Sequence, residues 1–220
     1  MGYWPMNEGN GNLAKDAARF KHITLDNVNW DIYPNTQSYI FNGSNYLSFT
    51  NASKSIFSST MDGTIAFWMK SDRVGPATLL SNGKGDTTDP LTTSGYRNKW
   101  AFDLDANGTL SLKAENNSYS FGSQNMTDGK WHHVAVVLKR KGNLSMYVDG
   151  VQSQNYPIQG LGGFSGSTVF VGGRGQISPS NQVSVDNLFT GQLDDVQIWN
   201  LAKQSNQIEE DRFYEQDFNT

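Results

Sequence analysis

Two histidines stand side by side in TDGKWHHVAVVLKRKGNLSMYVDGVQ, residues 127–152, and an aspartate, Asp149, follows in the same stretch. Imidazole titrates near neutral pH and ligates metals, so such a pair beside a carboxylate could hold an ion or move a proton. The surrounding residues argue otherwise. Val134, Val136 and Leu138 recur at every second position, and Trp131, His133, Ala135 and Val137 do the same out of phase. That alternation belongs to a strand, whose neighbouring side chains point to opposite faces. His132 is therefore expected to face the core with the valines, near a strand end, and His133 to face away. The two rings cannot converge on one ion. His132 reads as a structural histidine with a carboxylate or backbone carbonyl partner. Asp194 is one candidate, because it alternates in step with Val196 and Ile198. Asp149 precedes Gly150 and reads as a former of a hairpin turn. The third histidine, His22, has no motif around it.

The remaining reactive side chains form few patterns. In AFDLDANG, Asp103 and Asp105 share one strand face opposite Phe102 and Leu104, but Asp105 already begins an Asp-Ala-Asn-Gly turn. They are expected to be solvent-facing aspartates of a hairpin. Asp194 and Asp195 are adjacent and point to opposite faces, and Glu209 to Asp211 reads as the solvated side of a helix. No nucleophile elbow accompanies any serine. GGRGQIS lacks the Lys-Ser or Lys-Thr of a phosphate loop. The chain has no cysteine, which excludes disulfides, thiolate metal sites and cysteine nucleophiles.

These groups must be positioned by short strands. The 220 residues suit one large β domain, and the composition is Gly-rich, 12% aromatic and only 17% charged. The net charge of −4 and the absence of a basic face argue against nucleic acid as a partner. No apolar stretch approaches the ~20 residues of a membrane span. Asn-X-Ser/Thr triplets at Asn42, Asn51, Asn107, Asn116, Asn125 and Asn143 are unsurprising in an Asn- and Ser-rich chain. Strands are predicted in SYIFNGSNYLSF (two, around Asn42-Gly43), GTIAFWMKS, PATLLSN, the hairpin KWAFDLDANGTLSLKAE, STVFVGG and GQLDDVQIWN. The hairpin would turn on positive φ values at Asn107-Gly108. In GTIAFWMKS, Ile65, Phe67 and Met69 point one way, Ala66 and Trp68 the other. One short helix is predicted in SNQIEEDRFYEQ, capped by Asn206 with Glu209 three residues on. Two long loops are expected, Asn82 to Asn98 and Gly173 to Thr190. With no crossover helix between strands, the fold class is all-β: an antiparallel two-sheet sandwich.

DGKWHHVAVVL…LSMYVDGV, FVGG and GQLDDVQIWNLAKQSNQIEE, in that order after the opening YWPMNEGNGNLAKDAA, resemble the hallmark segments of laminin-G-like, concanavalin A-like jelly rolls. The resemblance runs from Tyr3 to about Phe213 and treats residues 1–220 as a single domain, excised from a larger protein. The fold hosts lectins, adhesins, receptor-binding domains and hydrolases, so it implies no single activity. Glucanases on this scaffold carry Glu-x-Asp-x-x-Glu on one strand, for acid and nucleophile work. That motif is absent here. The resemblance also implies a structural calcium, with Asp16 and Asp194 at the matching positions and Asp86 and Asp89 as a second possible site.

Sugar rings bind by stacking on aromatic faces while planar polar groups fix their hydroxyls. Candidates are Tyr96, Arg97, Trp100, Tyr119 and Arg174, with Tyr156 beside them; Trp100 alternates with Phe102 and Leu104 and could instead be core. The expected function is a non-catalytic recognition module of a secreted or surface protein, taking a glycan or a glycosylated or protein surface on its rim loops. The alternatives are a hydrolase or lyase on the same fold and a structural spacer of an adhesin.

Overall fold

The computed structural model describes residues 2–17, 23–24, 30–33, 36–50, 61–83, 100–114, 117–158, 168–177 and 182–214. In chain order the described elements are β1 (Gly2–Trp4), β2 (Leu13–Ala14), β3 (Ile23–Thr24), β4 (Trp30–Tyr33), β5 (Thr36–Asn42), β6 (Leu47–Thr50), β7 (Gly63–Lys70), β8 (Ala77–Gly83), β9 (Trp100–Leu104), β10 (Leu110–Ala114), β11 (Asn117–Ser120), β12 (Trp131–Leu138), β13 (Asn143–Val148), β14 (Val151–Pro157), β15 (Thr168–Val171), β16 (Arg174–Ile177), β17 (Val183–Asp186), β18 (Thr190–Trp199) and the helix α1 (Ser205–Tyr214). An eight-stranded sheet runs β14-β13-β12-β7-β18-β5-β4, with β1 also paired to β18, and a six-stranded sheet runs β11-β10-β9-β8-β15-β6. Every described pairing is antiparallel.

The period-two pattern decides which side chains meet. Ile65, Phe67 and Met69 of β7 and Val134, Val136 and Leu138 of β12 enter one core, with Phe102, Leu104, Leu110, Leu112, Val169 and Val171 from the facing sheet. Phe67 and Phe102 meet edge to face across the sandwich, ring centroids 5.2 Å apart. Burying each such aromatic contributes about 2–3 kcal/mol. The opposite faces of β7 and β12 are also covered. Ala66, Ala135, Val137 and Tyr147 form a second apolar cluster with Ile208 of α1. That explains why β12 reads as almost wholly buried although its residues alternate.

Three local predictions are corrected. The helix begins at Ser205, and the residue before it, Gln204, donates its N–H to Gln207 Oε1 at 2.8 Å. The capping pair is therefore two residues earlier than Asn206 and Glu209, and only its side-chain-to-backbone half is made. The span from Gly173 to Thr190 is not one loop, because β16 and β17 pair within it. In the β9–β10 hairpin Leu104 faces Leu110, so the turn is five residues long, Asp105 to Thr109. Gly108 takes φ +76° there, and Asn107 is not among the residues with positive φ. Asp105 organises this turn by accepting the N–H groups of Asn107 (2.8 Å) and Thr109 (2.9 Å) and the Thr109 hydroxyl. Those bonds lower its carboxyl pKa, the Thr109 hydroxyl most.

Candidate functional site

Cross-strand register puts Asp103 of β9 opposite Thr78 of β8 and Ser111 of β10, all on the face of the small sheet turned away from the core. Asp103 is not the solvent-facing aspartate expected from its hairpin. It is 5% exposed. One carboxylate oxygen accepts the Thr78 hydroxyl at 2.7 Å, and the other is shared by the Arg174 guanidinium and by Lys113 Nζ, the latter at 3.0 Å. The β16–β17 hairpin brings Arg174 here. Gly175 lies so close over Phe170 that a Cβ would sit 2.1 Å from its ring, and Gly175 N–H donates to Ser81 Oγ at 3.2 Å. Two cations and a hydroxyl thus occupy both oxygens of the carboxylate. It is a positioning group for Arg174 and Lys113.

The histidines of β12 separate as the strand requires. His132 Nδ1 lies 2.9 Å from Asp149 Oδ2 and its Nε2 lies 3.1 Å from Asp128 Oδ1. A neutral imidazole donates from one nitrogen only, so a carboxylate on each side selects the imidazolium. The Asp149 bond raises its pKa most, and Asp128 adds to this against burial. Asp149 also holds the strand: its other oxygen accepts the N–H of His133 at 2.9 Å, and its own backbone takes φ +52° before Gly150. It is thus both the turn former expected and the unexpected partner of His132.

Asp194 is not that partner. A bulge lies between Asp194 and Gln197, with Asp195 at φ +50°, so Leu193, Val196 and Ile198 all reach the core and Asp194 pairs with Trp68 on the opposite face. The inserted residue reverses the parity on which the expectation rested. Asp195 itself is buried, accepts Gln197 Nε2 at 2.8 Å, and has its pKa pushed up to about 6 by burial. Beside it Lys203 Nζ donates to Gln197 Oε1 at 3.0 Å and to Asp211 Oδ2 at 2.5 Å, over the Trp199 ring at 4.2 Å. Sequence reasoning missed this group. Its one visible trace was the double aspartate, since a bulge leaves no mark in the alternation until the partner strand is known.

The other predicted residues scatter. Trp100 is 2% exposed and part of the core, where it lines an apolar gap with Phe102, Leu112 and Val136, so it cannot stack on a sugar. Tyr119 is half-buried against the core and meets Tyr156 at 5.3 Å, edge to face. Of the five proposed ligand residues, Arg174 alone joins the Asp103 cluster; Tyr96 and Arg97 lie outside the described residues. Among the expected calcium ligands, Asp16 is buried and accepts the Tyr3 N–H at 3.0 Å, and Asp194 accepts the Asp195 N–H at 2.9 Å. No group of three or more His, Asp or Glu side chains that could hold a metal ion is found among the described residues. Asp86, Asp89 and His22 lie outside the described residues.

Residues 41–209 match the family model described as the concanavalin A-like lectin/glucanases superfamily. No curated protein matches the sequence. Among solved structures the fold is similar to the binding domain of Paraclostridial Mosquitocidal Protein 1, at 13% identity and a TM-score of 0.69 over 95% of this chain and 50% of that one. It is also similar to the Botulinum neurotoxin serotype G binding domain, at 15% identity and a TM-score of 0.68, over 97% of this chain and 50% of that one. Trypanosoma rangeli sialidase is another likeness, at 17% identity and a TM-score of 0.67, over 99% of this chain and 33% of that one. The chain thus spans about half the length of the toxin domains and a third of the sialidase.

Proposed function

This chain belongs to the concanavalin A-like lectin/glucanases superfamily, and from that premise we propose that it is a non-catalytic recognition module of a larger secreted or cell-surface protein, binding a glycan or a glycosylated or protein surface. The observation that carries this reading is the state of Asp103. It is the buried carboxylate of the small sheet's outward polar face, and Thr78, Lys113 and Arg174 already engage both its oxygens. Glycoside hydrolysis needs two carboxyl groups about 5–9 Å apart, one of them free to give up a proton. A carboxylate held between two cations is suited to neither role. Recognition asks less: a rigid sheet, and polar groups whose geometry is set before the ligand arrives. The likeness to toxin binding domains supports it, one of them determined in complex with rat synaptotagmin II.

A glycan array and a panel of labelled oligosaccharides, each run with and without a calcium chelator, test the proposal. Binding without release of reducing ends is expected. Turnover that disappears in Asp103→Asn would replace it with the hydrolase reading. Binding or melting temperature that falls with the chelator would place calcium within it.

A further inference from the structure

Two stretches of this chain, residues 116–127 and 150–173, contain no Asp, Glu, Lys or Arg, in a sequence that is 17% charged. The fold brings the strand each contributes to a sheet edge, β11 from the first and β14 from the second, to one flank. β11 ends the small sheet and β14 ends the large one, and Tyr156 donates its hydroxyl to the carbonyl of Ser120 at 2.9 Å, joining the two edges. The Tyr119 and Tyr156 rings close the seam between the sheets. Gln154 reaches across it over Gly122, in the turn after β11. Asn117, Ser120, Gln154 and Asn155 are exposed, and the two tyrosines are half-buried.

An uncharged edge strand is a liability, because its free backbone groups invite another strand, and charge is a usual guard. Here the guard is different. β14 carries one residue more than β13 across its bulge: Met146 faces Gln154 and Tyr147 faces Gln152, leaving Ser153 over. At the far end Pro157 has no N–H to offer. Bulge and proline blunt the edge without charge, which leaves the flank's polar side chains as amides, hydroxyls and two phenols, with Val151 exposed at the start of β14. That inventory matches a neutral polyol, since amides and hydroxyls both give and accept hydrogen bonds, and tyrosine adds an apolar face with a polar tip.

We infer that the β11–β14 seam takes a neutral oligosaccharide, a site that rests on the recognition reading above and gives it a place and a ligand class. The test is an array holding neutral oligosaccharides together with sialylated and uronate-bearing ones, followed by titration of the best neutral hit. The chain is compared with Gln154→Lys and Asn117→Lys, whose exposed positions leave the core untouched; unchanged melting curves check this. The inference expects neutral hits, with affinity reduced about tenfold or more in either variant. Neutral hits unaltered by both variants would overturn the seam while leaving the recognition reading standing, as would neutral binding lost in Arg174→Ala alone. Hits confined to acidic glycans would overturn the ligand class. No hit of either kind would overturn both the inference and the glycan form of the reading.

Discussion

The two sides of β12 at its start make an instructive pair. On one side His132 is fastened between Asp128 and Asp149 and ties together the loop before the strand, the strand itself and the β13–β14 turn. On the other side His133 is fully buried beside Trp68, at 5.2 Å between ring centroids, and neither of its nitrogens has a hydrogen-bond partner among the described residues. One imidazole is raised by its carboxylates; the other is pushed down to about 4 by burial, with Lys203 and Arg212 adding to this and Asp149 and Glu209 opposing it. Same residue type, same strand, adjacent positions: the difference lies entirely in what the tertiary structure packs against each ring. His132 works as a cation clasp, and His133 must stay neutral.

The largest effect should come from forcing charge onto the silent side. His133→Glu would bury an unpaired carboxylate beside an apolar cluster, at a cost of about 3–5 kcal/mol, read as a collapse of the urea midpoint at pH 7. His133→Leu should cost little, because it removes two unsatisfied polar atoms at the same time as it replaces the ring. If the two variants melt alike, His133 has a partner and the contrast with His132 fails.

Titration sharpens the same comparison. A base whose folded pKa is depressed binds its proton more readily in the unfolded chain. His133 therefore supports the fold fully above about pH 6.5 and less as pH falls toward 4, by about 3 kcal/mol in all. Asp195, raised to about 6, works in the opposite sense: the folded chain holds its proton more tightly, so it adds stability as pH falls from 6 toward 3.8. Comparing the pH–stability curve of the native chain with that of His133→Leu isolates the histidine, and the variant should be relatively more stable at pH 4.5 than at pH 7.

On the clasp side, His132→Leu should cost about 2–3 kcal/mol at pH 6, since it strands two carboxylates, one of them half-buried. Here the folded pKa is raised. The contribution is complete below pH 6.5 and is lost as pH climbs through the folded value, so the penalty should shrink at alkaline pH. A penalty that grows above pH 8 would reverse the assignment. The smallest effect concerns the cover over His133. Gln207→Ala removes the bond to the Gln204 N–H and should loosen α1 by about 0.5–1 kcal/mol. Hydrogen exchange at the His133 ring carbon should quicken while that at His132 is unchanged.

Several of these features were legible in the residues alone. Alternation in WHHVAVVL and GTIAFWMK named the core faces of β12 and β7 and separated the two rings, and Asp149-Gly150 and Gly108 marked turns that form. Other readings failed where a single residue shifts the phase. The bulge at Asp195 moved Asp194 to the wrong face, and β16 and β17 paired inside a span that looked like loop. The candidate site was the least readable part. Asp103 and Arg174 are 71 residues apart in the chain, and nothing local to either announces the other.

What the sequence determined by itself was the all-β class, the two faces of its long strands and the impossibility of a shared histidine site. Each of these follows from short-range geometry: side chains in a strand alternate, whatever the strand lies against. The tertiary structure alone decided which buried groups would be paired. The clasp on His132, the isolation of His133, the cations around Asp103 and the charge-free seam all depend on segments that meet only when two sheets stack. Electrostatic environment is a property of that meeting, and the chain's local pattern does not say which charged or uncharged segments will face one another.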